Sequence, residues 1–304
     1  MDMQIFPVHP AEIYKIWRIL LYNFNEVKYN TPNASLLRKE RYIMKRIIAL
    51  SLVVISVLLC LAGCGNTASN DSDLAYVQNN GKLIVGITDY APMDYKDEAT
   101  GEWIGFDAEF AQMFAEELGV EVEFFVLADW GKKFFELDSK NIDVIWNGMT
   151  INEDVTLNTN CSDPYVVNAQ VVVAKADVVA NITAESLKDL TVAVESGSAG
   201  EDAAKAMGCE NIVAVQDQGS AVMEAAAGTS DACVIDITMA YAMTGEGTSY
   251  ADLAVGVSLT EEFYGVGFRK NSDITAKFNE YMAKAMADGS LDALAEKYGL
   301  TLAK

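Results

Sequence analysis

Histidine is all but missing from this chain of 304 residues: His9 is the only one. If the N-terminal segment is removed, the working protein has none, which withholds the usual general base and the commonest metal ligand. Arginine is nearly as scarce, and Arg269 is the single one beyond Cys64. The five cysteines are Cys60, Cys64, Cys161, Cys209 and Cys233, and no two make a CxxC pair. That spacing argues against a metal knuckle. It leaves open one disulfide, Cys161–Cys209 or Cys209–Cys233, beside the plainer reading of small buried hydrophobes. Positive charge is short throughout, with 22 Lys and Arg against 44 Asp and Glu. After Cys64 the imbalance sharpens to fourteen basic and forty acidic residues. A surface that negative does not neutralise phosphates, so nucleic acid is excluded as a partner. Attraction to anionic lipid through a basic patch is excluded on the same ground. Ser196-Gly197-Ser198 does not make the G-x-S-x-G turn of a hydrolase nucleophile. What is abundant is apolar: hydrophobic residues make up 51% of the chain, which suits one or two globular domains and excludes a disordered chain.

Met44-Lys45-Arg46 opens an apolar run from Ile47 to Leu59, followed by Leu61-Ala62-Gly63-Cys64. A basic start, an apolar core and small residues at the cut describe a secretory signal. The run falls short of the roughly 20 apolar residues that span a bilayer. An uncleaved anchor helix is the alternative. The ending Leu-Ala-Gly-Cys resembles a bacterial lipoprotein signal, and that resemblance implies lipidation of Cys64. Several acyl chains on one residue anchor stably where one chain binds marginally. Residues 1–43 lack clean periodicity and are expected to be an upstream extension from a misassigned start, with Met44 as the true beginning. Gly65 to Asp73, GNTASNDSD, has the composition of a flexible tether.

From Gly81 onward, apolar strand patterns alternate with helical ones. Leu83 to Ile87, Val120 to Leu127 and Ile142 to Trp146 read as strands. Phe106 to Leu118 carries apolar residues at helical spacing and ends before Gly119. A second set follows, with strands at Val171 to Ala174, Leu190 to Val194, Ile212 to Val215 and Ala232 to Ile235. Between them lie helices at Gly200 to Met207 and Ser220 to Ala227. A short helix is expected after Thr183 as its N-cap. The last section predicts a strand at Gly265 to Arg269 and helices at Ile274 to Met286 and Leu291 to Tyr298. The alternation implies an α/β fold with mostly parallel sheets. Ligands of such sheets sit beyond the carboxyl ends of the strands, and two facing units place the site in the cleft between them.

Several segments, in order, resemble the type II periplasmic binding proteins of polar amino acid importers. They are LIVGITDYAPM at Leu83 to Met93, GFDAEFAQMFAEELG at Gly105 to Gly119, IDVIWNGMTI at Ile142 to Ile151 and SDPYVVNAQVVV at Ser162 to Val173. VESGSAGEDA at Val194 to Ala203, DACVID at Asp231 to Asp236, YGVGFRKNSD at Tyr264 to Asp273 and the C-terminal DGSLDALAEKYGL continue the series. The resemblance covers about Gly81 to Leu300. It implies two lobes, each a mostly parallel sheet flanked by helices, joined by two crossover segments. The expected division is a signal at 44–63, the lipidated cysteine and tether at 64–79, a first lobe at 80–168 and 264–304, and a second lobe at 169–263. The hinge would lie near Asn168-Ala169-Gln170 and Glu261-Glu262-Phe263.

The same resemblance assigns ligand roles. Asp236, at the end of an apolar strand, is expected to hold an α-ammonium, with Asp89 as a second candidate. Asp236→Ala is expected to abolish binding and leave the fold intact. Ser198 and Ala199 open a helix whose free N–H groups favour a carboxylate. Thr150, with Asn147 and Gly148 beside it, adds contacts from the first lobe. Tyr90 and Trp130 match positions that stack on the ligand. One departure stands out. The arginine expected five residues after Thr150 is Val155 here, so backbone amides, a ligand without a conventional α-carboxylate, or a lysine such as Lys133 must replace the usual clamp.

The chain is thus expected to be a monomeric, lipid-anchored component of an ABC importer. It would capture an amino acid-like solute by hinge closure outside the cytoplasm and deliver it to permease and ATPase subunits, with no cofactor and no metal. Alternatives are a binder of another cation such as a polyamine, an enzyme on the same fold, or a sensor input domain. The sensor would need a further membrane span and signalling segment.

Overall fold

The structure is a computed structural model that describes residues 72–304. The signal run, Cys60, Cys64 and the upstream stretch lie outside the described residues, as does the tether up to residue 71.

The tether expected to reach residue 79 is shorter than that. Asp73–Asn80 is a helix, α1, because Ser72 caps it by accepting from the Ala75 amide and Gly81 closes it in the left-handed conformation. Asp73 is also tied down at long range, since Arg269 Nε donates to both of its carboxylate oxygens at 3.0 Å. Arg269 Nη2 reaches Asp143 at 3.0 Å, and Nη1 reaches the Ile142 carbonyl at 2.7 Å. The single arginine of the described residues is therefore a buried buckle.

Next come β1 (Lys82–Ile87), β2 (Tyr95–Lys96), β3 (Trp103–Ile104), α2 (Phe106–Leu118) and β4 (Glu121–Val126). After a 3-10 turn at Trp130–Lys132 follow α3 (Lys133–Asp138), β5 (Val144–Ile145), α4 (Glu153–Asn158), β6 (Asn160–Cys161) and β7 (Val166–Asn168). The chain then runs through β8 (Gln170–Lys175), β9 (Thr191–Glu195), α5 (Ala199–Ala206), β10 (Asn211–Val215), α6 (Gln218–Ala227) and β11 (Ala232–Asp236). It closes with α7 (Ile237–Met243), β12 (Leu253–Ser258), β13 (Glu262–Tyr264), β14 (Gly267–Phe268), α8 (Ile274–Asp288) and α9 (Ser290–Tyr298).

Two five-stranded sheets result, ordered β4-β1-β5-β14-β6 and β10-β9-β11-β8-β12. Each begins with three parallel strands, and only β14 in the first and β8 in the second run antiparallel to their neighbours, so four of the five strands in each sheet share one direction, as expected. The antiparallel strands are the ones that return from a crossover. Between the sheets, β7 and β13 pair antiparallel through Glu262↔Asn168, Phe263↔Val167 and Tyr264↔Val166.

The first sheet is packed by α2, whose Phe106, Phe110, Phe114 and Leu118 face inward, and by α8. Trp146 sits between them, with ring centroids 5.1 Å from Phe110 and 4.9 Å from Phe278. It is core, not a ligand platform. Each such ring contributes about 1.5–3 kcal/mol of burial free energy. The turn after Thr183 is not an α-helix: Thr183 Oγ1 accepts from the Ser186 amide at 3.2 Å, and only a 3-10 turn follows at Leu187–Asp189. Cys161, Cys209 and Cys233 are free thiols, and burial pushes Cys161 up to about 11 and Cys233 up to about 12.

Candidate functional site

The carboxyl ends of β5, β9 and β11 meet at one cavity of about 40 Å³. From the first sheet it is walled by Trp130, Lys133 and the loop from Asn147 to Thr150, and from the second by Glu195, Ser198, Ala199, Gln218 and Asp236. A volume that small holds about a water molecule or two.

Asp236 ends β11, buried at 4% exposure. Its carboxylate accepts from Asn168 Nδ2, from Gln170 Nε2 at 2.7 Å and from Gln218 Nε2, while its own amide donates to Gln218 Oε1 at 2.9 Å. Asn168 and Gln170 also donate to Glu262 Oε1, at 2.6 and 2.7 Å. The two acids thus share their donors. Burial first, then repulsion from Glu262, pushes Asp236 up to about 7. Such a group is poised to ionise when a cation arrives.

Ser198 caps α5 by accepting from the Glu201 amide at 3.2 Å, which leaves the α5 N-terminus facing the cavity with Ala199 as its first residue. Asn147 lines the cavity, but both ends of its amide are spent on Thr88: Oδ1 accepts from the backbone at 2.9 Å and Nδ2 donates to Oγ1 at 2.7 Å. It positions the loop. Gly148 adopts φ 58, and a Cβ there would lie 2.6 Å from the Tyr90 ring, so glycine is required on both counts. Its amide donates to Asp107 Oδ2 at 2.6 Å. Thr150 Oγ1 donates to Glu262 Oε1 at 2.7 Å.

The structure does not bring Asp89 and Tyr90 into this wall. Asp89 is exposed and is not among the lining residues. Tyr90 is buried below the loop, its hydroxyl 2.6 Å from Thr238 Oγ1 and 2.5 Å from the Tyr264 hydroxyl. Both lie at the end of β1, and the chain turns so that the tyrosine packs inward. Val155 is buried inside α4, with its amide capped by Asn152 at 2.9 Å. No cation stands at that position.

Two polar residues of the wall carry more than the sequence suggested. Glu195 ends β9, buried, with its Oε1 lacking any hydrogen-bond partner. Burial first, then Asp236 and Asp217, pushes it up to about 8. Its signal was an acid at the end of an apolar strand, the same one that picked Asp236. Gln218 gave no signal at all, because its role depends on where α6 begins. Lys133 is buried across the cavity from these acids, and its ammonium donates to the Gly197 carbonyl at 3.2 Å and the Trp130 carbonyl at 3.4 Å. Burial lowers its pKa, against the pull of Glu195. Contacts cross between the two sides in this way: Lys133 with Gly197, and Tyr90 and Tyr264 each with Thr238.

Among known proteins, the model of the family described as bacterial extracellular solute-binding proteins, family 3, matches residues 83–301. The chain is 28% identical over 257 residues to the arginine-binding extracellular protein ArtP of Bacillus subtilis, covering 82% of this chain and 96% of that protein. A solved mutant of ArgBP from T. maritima superimposes with a TM-score of 0.69 at 31% identity, covering 74% of this chain and 98% of that one. An ancestral amino acid-binding protein, a precursor of cyclohexadienyl dehydratase, gives 0.68 at 31% identity over 75% of this chain and 99% of that one. The chain belongs to the bacterial extracellular solute-binding proteins of family 3.

Proposed function

We propose that the protein is the binding component of an ABC importer and captures an amino acid outside the cytoplasm. The observation that carries this reading is the buried Asp236 carboxylate at the end of β11, facing the N-terminus of α5 and the Trp130 wall across one cavity. The acid suits an ammonium and the helix start suits a carboxylate. An amino acid presents both on one carbon. The amino acid binders among its relatives support the same class.

Capture works by closure. A cavity of about 40 Å³ admits no amino acid, so the ligand enters with the two sheets apart and bridges them as they close about the β7–β13 ribbon. The ligand's contacts with both faces are what favour the closed state. In this reading residues 80–168 and 264–304 move as one lobe against 169–263. A lipid on Cys64 holds the protein, a monomer, at the extracytoplasmic face of the cell membrane, where the permease reads the closed form.

The likeness to a dehydratase precursor makes catalysis the competing reading. Calorimetry with the common amino acids, followed by chromatography of the recovered ligand, separates the two. Heat of binding with unchanged ligand supports capture; a ligand converted in proportion to protein and time overturns it.

A further inference from the structure

The ionisable groups enclosed by the cavity are unbalanced, two acids against one lysine. Three ionisable side chains are both buried and on its wall: Lys133, Glu195 and Asp236. Asp236 is met by three amide donors. Glu195 is not so served, and its Oε1 is buried without a partner. β9 and β11 are parallel neighbours that end in Glu195 and Asp236, and both carboxylates line the one cavity. Lys133 spends its ammonium on two backbone carbonyls rather than on either acid. Asp154 and Asp202, on the cavity's exposed side, add only more negative charge. Ionising a buried carboxyl group with one oxygen unpartnered is costly, and a bound cation removes the cost.

We infer that the ligand is an amino acid whose side chain carries a second positive charge, that Glu195 receives that charge, and that Lys133 takes the α-carboxylate in place of the arginine missing at Val155. This rests on amino acid capture as proposed above and adds the ligand's class and the residue that selects it. A zwitterion pairs its ammonium with Asp236 and its carboxylate with Lys133, and leaves the Glu195 oxygen without a partner. A ligand with one further positive charge leaves no enclosed group unpaired. Lys133 has three N–H donors, and its two carbonyl contacts leave one for a carboxylate. The upward shift at Glu195 and the downward shift at Lys133 are both in the direction that a bound ion of opposite sign reverses.

Calorimetry on the intact chain in detergent, with near-isosteric ligand pairs, tests this. L-arginine is compared with L-citrulline and L-lysine with L-norleucine; cadaverine stands for lysine without its carboxylate. The expected wild-type preference for the charged member is about 100-fold, as a charge-assisted bond in a dry site implies. Glu195→Gln brings that ratio to within about threefold, and cadaverine binds at least about tenfold more weakly than lysine. The wild-type ratios decide the matter even where Glu195→Gln does not fold. Citrulline binding as tightly as arginine, or a preference that survives Glu195→Gln, overturns the inference while amino acid capture stands. Cadaverine matching lysine overturns the role given to Lys133. An absence of binding by any amino acid overturns both readings together.

Discussion

Protons compete with the ligand at Asp236 and Glu195, and the size of that competition follows from the site. Burial and Glu262 hold Asp236 near 7, and burial and Asp236 hold Glu195 near 8. An ammonium pairs only with the ionised forms, and once bound it pulls both groups down. Below each group's free-state value, affinity therefore falls about tenfold per pH unit and linked proton. Between pH 8.5 and 5.5 Asp236 alone weakens binding by about 30-fold, and both groups together by several thousand-fold, roughly. Calorimetry across that range, in buffers of different ionisation heat, reads the affinity and the protons released. The expected result is a steep loss toward acid with release of at least about one proton near pH 6. Flat affinity with no buffer dependence refutes the reasoning. The ligand-free protein behaves oppositely. A carboxyl group whose folded value is raised holds its proton more tightly when folded. Its stability contribution is complete in acid and is lost as pH rises through about 7 to 8.

Further expectations attach to single residues. Gly197 sits at φ 72, and a Cβ there would lie 2.8 Å from Gly131 Cα across the cleft. Gly197→Ala thus obstructs closure and lengthens the Lys133 contact, so titration calorimetry is expected to show at least about tenfold weaker binding; unchanged affinity contradicts closure as drawn. Asp236→Ala strands three buried amide donors at about 1–3 kcal/mol each. At pH 5.5, where no charge is lost, it lowers the melting midpoint by several degrees, while Asp236→Asn stays within about 2 °C of wild type. Arg269→Met leaves Asp73 and Asp143 unpaired and costs about 3–5 kcal/mol in urea unfolding, with ligand affinity unchanged because the buckle lies off the cavity wall.

Much of the fold was legible because its signals are local. Phe106 to Leu118 was read to the residue, since the apolar spacing stops where Gly119 turns left-handed. Ile237–Met243 and Leu253–Ser258 were passed over: one is apolar directly after an apolar strand, and the other lacks alternation, so period alone cannot set them apart. Antiparallel β8 and β14 were invisible because strand direction depends on the crossovers. In the site, Asp236 announced itself as a charge ending an apolar run. Glu195 gave the same signal but sat inside a segment already given another role. Asp89 and Tyr90 show the limit from the other side, because which of two adjacent residues faces a cleft is set by how the loop after β1 lands. Whether a polar group is already satisfied, as Asn147 is by Thr88, depends on partners far along the chain.

Capture requires Asp236 to meet the ligand's positive end between the two sheets. Calorimetric titration of wild type and Asp236→Asn with the tightest-binding amino acid, at pH 8, is the direct measurement. The account predicts a loss of about 100-fold or more in affinity with a melting midpoint no lower than that of wild type. Equal affinity in the two proteins contradicts it.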